Sequence, residues 1–171
     1  MTRGVFTAAS SITATGHNAV WDPPRCRLTN SANISITTSG TAQALTFDTE
    51  TYDVNSMHST SVNTSRITVP SDGAGTYHIT ASVRFANNAT GFREIQFRIN
   101  GTTTIAASRS TVNHATDDTR ITLSTDYQLA VGDYFELMVT QTSGGALNVI
   151  AVSAYSPIFT ARWVSISLKS P

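Results

Sequence analysis

Residues 75–100, GTYHITASVRFANNATGFREIQFRIN, carry the clearest periodicity in the 171-residue chain. Tyr77, Ile79, Ala81, Val83 and Phe85 alternate with Thr76, His78, Thr80, Ser82 and Arg84, which puts an apolar and a polar row on opposite faces of a strand. The alternation breaks at Asn87-Asn88-Ala89-Thr90-Gly91 and resumes with Ile95, Phe97 and Ile99 set against Glu94, Gln96 and Arg98. Asn and Gly tolerate positive φ, so the break predicts a β-hairpin at the centre of an antiparallel sheet with one wet face.

Around that centre the composition is all-β in character. Charged residues make up 13% of the chain, about half the usual share, and Thr, Ser and Asn are abundant. Thr suits the solvent side of a strand, so hydroxyls rather than ions are expected to wet this surface. The formal net charge is zero, which offers neither nucleic acid nor an anionic membrane a long-range field. So little charge favours a protein that lives inside an assembly. A chain of this length reads as one domain that folds without a metal or disulfide. Cys26 is the one cysteine and reads as a small buried hydrophobe. The first residues hold no apolar core long enough for a signal peptide, so synthesis in a cytoplasm is expected.

Residues 1–24 read as an arm, and residues 25–171 as a β-sandwich domain. The arm is rich in Thr, Ala and Ser, with Val5, Phe6, Ile12, Val20 and Trp21 as its anchors. It cannot bury enough of itself to order alone, so a neighbouring subunit or a larger surface is expected to hold it, the alternative being its own domain. Asp22-Pro23-Pro24 ends the arm. A first strand follows over Arg25–Ile36, broken near Asn30-Ser31, and another starts at Ala44, Leu45 and Phe47. Residues 48–64 read as a long polar loop of the length that usually carries a function. A short strand at Ile67 and Val69 stops at Pro70. Asn100-Gly101 is the strongest hairpin-turn dipeptide in the chain, and residues 112–118 read as a further polar loop. Strands at Tyr134–Thr140 and Ile158–Leu168 are apolar on both faces. Phe135, Leu137 and Val139 oppose Tyr134 and Met138, while Phe159, Ala161 and Trp163 oppose Val164, Ile166 and Leu168. Such strands lie between two layers or at a subunit seam. Roughly eight to ten strands are expected, at the spacing of a sandwich.

The order of these signals resembles the jelly-roll domain of the globular heads of complement's first component and of the tumour necrosis factor family. It is carried by Ala44–Asp48, Tyr52-Asp53, Ser65–Pro70, Gly73–Thr80, Leu129–Leu137 and the closing strand Phe159–Ile166. Within that superfamily, Ala81–Thr104 and Leu129–Val139 look like domains of head-decoration, head-fibre and tail proteins of tailed bacteriophages. The resemblance implies an antiparallel jelly-roll β-sandwich that forms homotrimers through two-sided strands. It places Tyr134, Met138, Phe159, Trp163, Val164 and Ile166 at the trimer interface. No Gly-X-Y stem precedes the domain, and no Ca²⁺-site residue of the complement heads can be placed on this sequence.

No constellation of residues points to catalysis. His17, His58, His78 and His114 share no metal-ligand spacing, and Asp117-Asp118 lack regularly spaced partners for Ca²⁺. No nucleophile elbow is present, so no enzyme, metal or cofactor is expected. Sequons at Asn33, Asn63, Asn88 and Asn100 are chance matches in a chain so rich in Asn and Thr. Arg84, Arg93, Arg98 and Arg109, with Glu94, are expected on or beside the wet face of the central hairpin. The function expected is a non-enzymatic bacteriophage virion protein: a trimeric capsid decoration subunit that grips the major capsid protein, or another virion protein, through its arm. The alternative is a receptor- or glycan-binding domain of a head or tail fibre, with Asn55, His58, Asn63, Asn113 and His114 in its ligand loops.

Overall fold

Strands with one dry face must bury it, and here two such sheets close over each other. The computed structural model describes residues 22–112 and 116–166, with side chains as far as Val164. Twelve strands run in order: β1 (Arg25–Thr29), β2 (Ile34–Ile36), β3 (Gln43–Ala44), β4 (Thr49–Val54), β5 (Arg66–Thr68), β6 (Gly75–Phe85), β7 (Phe92–Ile99), β8 (Thr103–Thr111), β9 (Thr119–Leu129), β10 (Tyr134–Gln141), β11 (Leu147–Val149) and β12 (Ile158–Ile166). Strands β9, β6, β12, β1 and β4 lie side by side, and β11 with β2 extends this seven-stranded sheet where β12 stops. In the five-stranded sheet, β10 has β7 and then β8 on one side, and β3 and β5 on the other. All pairings are antiparallel, and the architecture is a jelly-roll sandwich.

The expected hairpin over residues 75–100 is not formed. β6 lies in the seven-stranded sheet between β9 and β12, whereas β7 lies in the other sheet between β8 and β10. Residues 87–91 therefore cross between layers. Arg93 explains why. It points inward beside Ile95 rather than onto a wet face, and it is fully buried. Its Nη1 donates to the carbonyls of Thr90 and Phe92 at 3.0 and 2.9 Å, and its Nη2 to the carbonyl of Asn88 at 3.1 Å. The guanidinium thus ties down the crossover, and burial lowers its pKa. Gly91, at φ 75° and hard against Thr142, completes the turn; a Cβ there would meet the Thr142 carbonyl oxygen at 2.1 Å. The Asn100-Gly101 turn does form a hairpin, joining β7 to β8 with φ values of 49° and 73°.

Residues 48–64 also differ from expectation, because β4 is a strand at the edge of the seven-stranded sheet. An edge strand with a polar, mostly exposed row hides its periodicity. At its entrance, the Ser31 amide and hydroxyl donate to Asp48 at 2.9 and 2.6 Å, and the Thr49 hydroxyl donates at 2.8 Å.

Phe159 sits at the centre of the core, its ring 5.7, 5.8 and 5.6 Å from those of Phe47, Phe97 and Phe135. It comes from one sheet, while Phe97 and Phe135 come from the other. Phe159→Ala should therefore cost about 3–5 kcal/mol in denaturant unfolding, the range for a large cavity in a clamped core. A loss under about 1 kcal/mol, well below that range, would show that the sheets are held elsewhere.

The hydrogen bonds from Ser31, its hydroxyl first, hold the Asp48 carboxyl below the usual carboxylate range. The stability this supplies is complete above about pH 4 and is lost as pH falls through the depressed native value. Ser31→Ala should raise the Asp48 midpoint in an NMR titration; an unmoved midpoint contradicts the assignment.

Candidate functional site

A sandwich has two outer faces, and here they differ. On the five-stranded sheet the outer row is sealed by the chain's own side chains. Glu136 accepts from the Ser65 hydroxyl at 2.7 Å, pairs with Arg66 at 3.5 Å and stands in register with Arg98. Glu94 accepts from Arg109 Nε at 2.6 Å and from Gln96. Arg66 lies 4.0 Å over the Tyr134 ring, and Arg109 lies 3.8 Å over Phe92. Under this mesh Met138, Glu94 and Glu136 keep 6%, 8% and 9% of their surface. The second apolar side of β10 is thus covered within one chain.

The outer face of the seven-stranded sheet has no such cover. Directly paired residues point to the same side, so the register builds rows across β9, β6, β12, β1 and β4. One row reads Ser124–Thr80–Thr160–Arg27–Tyr52, and the next reads Thr122–Ser82–Ile158–Thr29–Thr49. Thr80 and Thr160 share a 2.6 Å hydrogen bond, while the hydroxyls of Ser82, Thr122 and Ser124 have no partner among the described residues. Between these strands lies a shallow hollow of about 340 Å³, with Arg27 and Ile158 on its wall. Arg27 Nη2 donates to the Ala154 carbonyl at 3.0 Å, and no carboxylate pairs with Arg27 among the described residues. Beyond it, Arg84 and Arg120 share Asp118, the latter at 3.3 Å, which occupies both oxygens of the residue considered for Ca²⁺. His78, outward as expected, pairs with Asp126 at 2.6 Å.

At the other end of that sheet, apolar residues of the inner row reach the rim of the sandwich beside buried Tyr77. Tyr127 stands in register with Tyr77, and Tyr77 with Trp163. The register then slips at Val164, which is left 54% exposed; Tyr127 and Val131 are also exposed. The indole N–H of Trp163 is buried without a partner among the described residues. The chain enters here too, since the Trp163 amide donates to the Pro24 carbonyl at 2.9 Å.

The expected interface residues do not share one surface. Phe159 is core, Met138 is sealed under the outer side chains of its own sheet, and Tyr134 lies under Arg66. These three find their cover within one chain. Trp163 and Val164 gather at the apolar end, and the side chain of Ile166 lies outside the described residues. The arm anchors Val5, Phe6, Ile12, Val20 and Trp21, and the loop residues Asn113 and His114, also lie outside them. His58 lies in the loop after β4, with its ring closed off from solvent. Its buried ring bridges Glu50 at 2.7 Å and the Thr64 carbonyl at 3.1 Å, and Asp53 accepts its amide at 3.0 Å. Asn55 and Asn63 are turn residues with φ of 70° and 51°, both exposed. Sequence reasoning missed the hollow. Its polar alternation was visible strand by strand, but which strands are neighbours was not.

No family model matches the sequence, and no curated protein matches it significantly. Solved structures do share its fold. Murine APRIL at pH 5.0 aligns with a TM-score of 0.62 at 10% identity, over 82% of this chain and 98% of that one. The globular domain of zebrafish complement 1qA aligns at 0.57 and 11% identity, over 84% and 99%. The Eiger TNF of S. frugiperda aligns at 0.57 and 10% identity, over 86% and 98%. At these identities the likeness is one of fold: the jelly roll of tumour necrosis factor and complement heads.

Cys26 is fully buried, and burial pushes its thiol far above the ordinary range. The native protein should resist iodoacetamide at pH 8 and take up one equivalent once unfolded in guanidinium. Fast labelling of the native chain would contradict this placement.

Proposed function

We propose that this protein is a homotrimeric, non-catalytic structural subunit of a tailed-bacteriophage virion that decorates and stabilises the assembled head. One observation carries the assembly part. Tyr127, Val131 and Val164 are three of the six large hydrophobics left exposed among the described residues, and all lie toward the rim where the chain enters. Tyr127 is on the side of Tyr77, Val131 in the turn after β9 and Val164 at the bulge of β12. Several large apolar residues exposed at one end of a sandwich mark a contact surface. The fold shared with tumour necrosis factor and complement heads supports a trimer as the form that closes it. The virion role is supported by the low charge, by the likeness of Ala81–Thr104 and Leu129–Val139 to phage head and tail domains, and by the Thr-, Ala- and Ser-rich composition of residues 1–21.

In this reading the seam forms by burying neutral, shape-matched surface rather than by charge. The arm grips only the assembled shell, so it stabilises the lattice by mass action. A second reading, a head- or tail-fibre domain that meets a receptor or glycan, is favoured by the open hollow around Arg27.

The full chain should sediment at three times its 18.3 kDa mass at micromolar concentration. The double variant Tyr127→Asp, Val164→Asp should fall apart to monomers at least tenfold more readily. Removing residues 1–21 should leave the trimer intact and abolish attachment to the capsid of the encoding phage. A wild-type chain that stays monomeric at 100 micromolar overturns the assembly. Capsid binding that survives loss of the arm overturns the decoration role in favour of the fibre.

A further inference from the structure

The hollow on the seven-stranded sheet has a chemical character that the assembly role does not use. Hydroxyls that both donate and accept line it together with Ala81 and Leu123, and those of Ser82, Thr122 and Ser124 have no partner among the described residues. Ile158 supplies a small apolar wall. Arg27 is held in place by the Ala154 carbonyl through one of its five N–H groups, which leaves the others without a carboxylate to neutralise them among the described residues. Tyr52 stands next to Arg27 in register and is exposed, with its ring free to stack.

A ring ligand with several hydroxyls, a carboxylate and an apolar flank answers each of these features. The volume, about 340 Å³, admits one pyranose. A guanidinium fork recognises a carboxylate through paired N–H donors. We propose that this hollow binds a uronic-acid unit of an acidic polysaccharide, with the carboxylate on Arg27, the sugar hydroxyls on Ser82, Thr122 and Ser124, and the next sugar against Tyr52. Ile158 and Val164 are six residues apart on β12, a separation of about 20 Å along an extended strand, so the hollow and the apolar end are separate places on the sheet. The proposal stands on the hollow alone and does not depend on the virion reading or on the trimer.

The test is titration of the full chain with a galacturonate trisaccharide, with the neutral galactose trisaccharide as control, read by calorimetry and by NMR shifts of β6 and β9 amides. The acidic sugar should bind with a Kd of about 1 mM, as expected for the few ligand atoms such a shallow site engages, and more weakly in 0.5 M salt. Arg27→Gln should weaken the acidic sugar by about tenfold, a charge-assisted pair being lost, and leave the neutral one unchanged. Because Arg27 also holds Ala154, the double variant Thr122→Val, Ser124→Ala on the exposed strand β9 is the second probe; it should weaken both sugars severalfold with the melting temperature unchanged. Absence of saturable galacturonate binding at 20 mM overturns the site. Equal affinity for the two sugars overturns the acidic assignment, and binding that both variants leave intact overturns the location.

Discussion

The Phe159 ring, wedged among Phe47, Phe97 and Phe135, is the contact on which the remaining architecture depends. It fixes which side of each sheet is inside, and so which residues are left to meet the outside. Burying a large aromatic side chain removes far more apolar surface from water than any neighbouring Thr or Ser could. Once it is seated, the alternation along β12 is settled. Phe159 and Ala161 turn inward, while Thr160 turns outward with Thr80. The outer rows are then dictated by register alone.

The two outer faces are left unequal. The five-stranded sheet carries long side chains in alternating charge, and these lie down on one another: Arg66 on Tyr134, Arg109 on Phe92, Glu136 between Ser65 and Arg66. The seven-stranded sheet carries short hydroxyl residues that cannot reach across, so its face stays open. The sheet's apolar exposure lies at its far rim, with Tyr127 beside Tyr77 and Val164 at the bulge of β12. The apolar exposure and the hydroxyl-bearing hollow thus lie apart along one sheet.

Much of this was legible in the sequence, and the failures have definite causes. The alternation of Tyr77 to Phe85 and of Ile95 to Ile99 identified two long strands, and Asn100-Gly101 identified the true hairpin turn after the second. Alternation says nothing about partners, however, so the Asn87–Gly91 crossover looked like a hairpin until Arg93 was seen to pin it from inside. β4 was hidden because an edge strand needs few apolar residues. Two-sidedness in β10 marked real burial of Met138, but the cover came from the same chain. His58 looked like an open loop residue because only the fold brings Glu50 and the Thr64 carbonyl to its two nitrogens. The hollow was illegible for the same reason, since Arg27, Ser82 and Ser124 come together only across paired strands.

The most direct measurement of the central idea, that the chain meets its own kind through the apolar end of the seven-stranded sheet, is hydroxyl-radical footprinting across a dilution series. Concentrating the protein should protect Tyr127, Trp163 and Val164 while the modification of Met138, already sealed in the single chain, stays low and constant. Protection that instead develops over Arg66, Arg98 and Arg109, with Tyr127 and Val164 modified equally at every concentration, would contradict it.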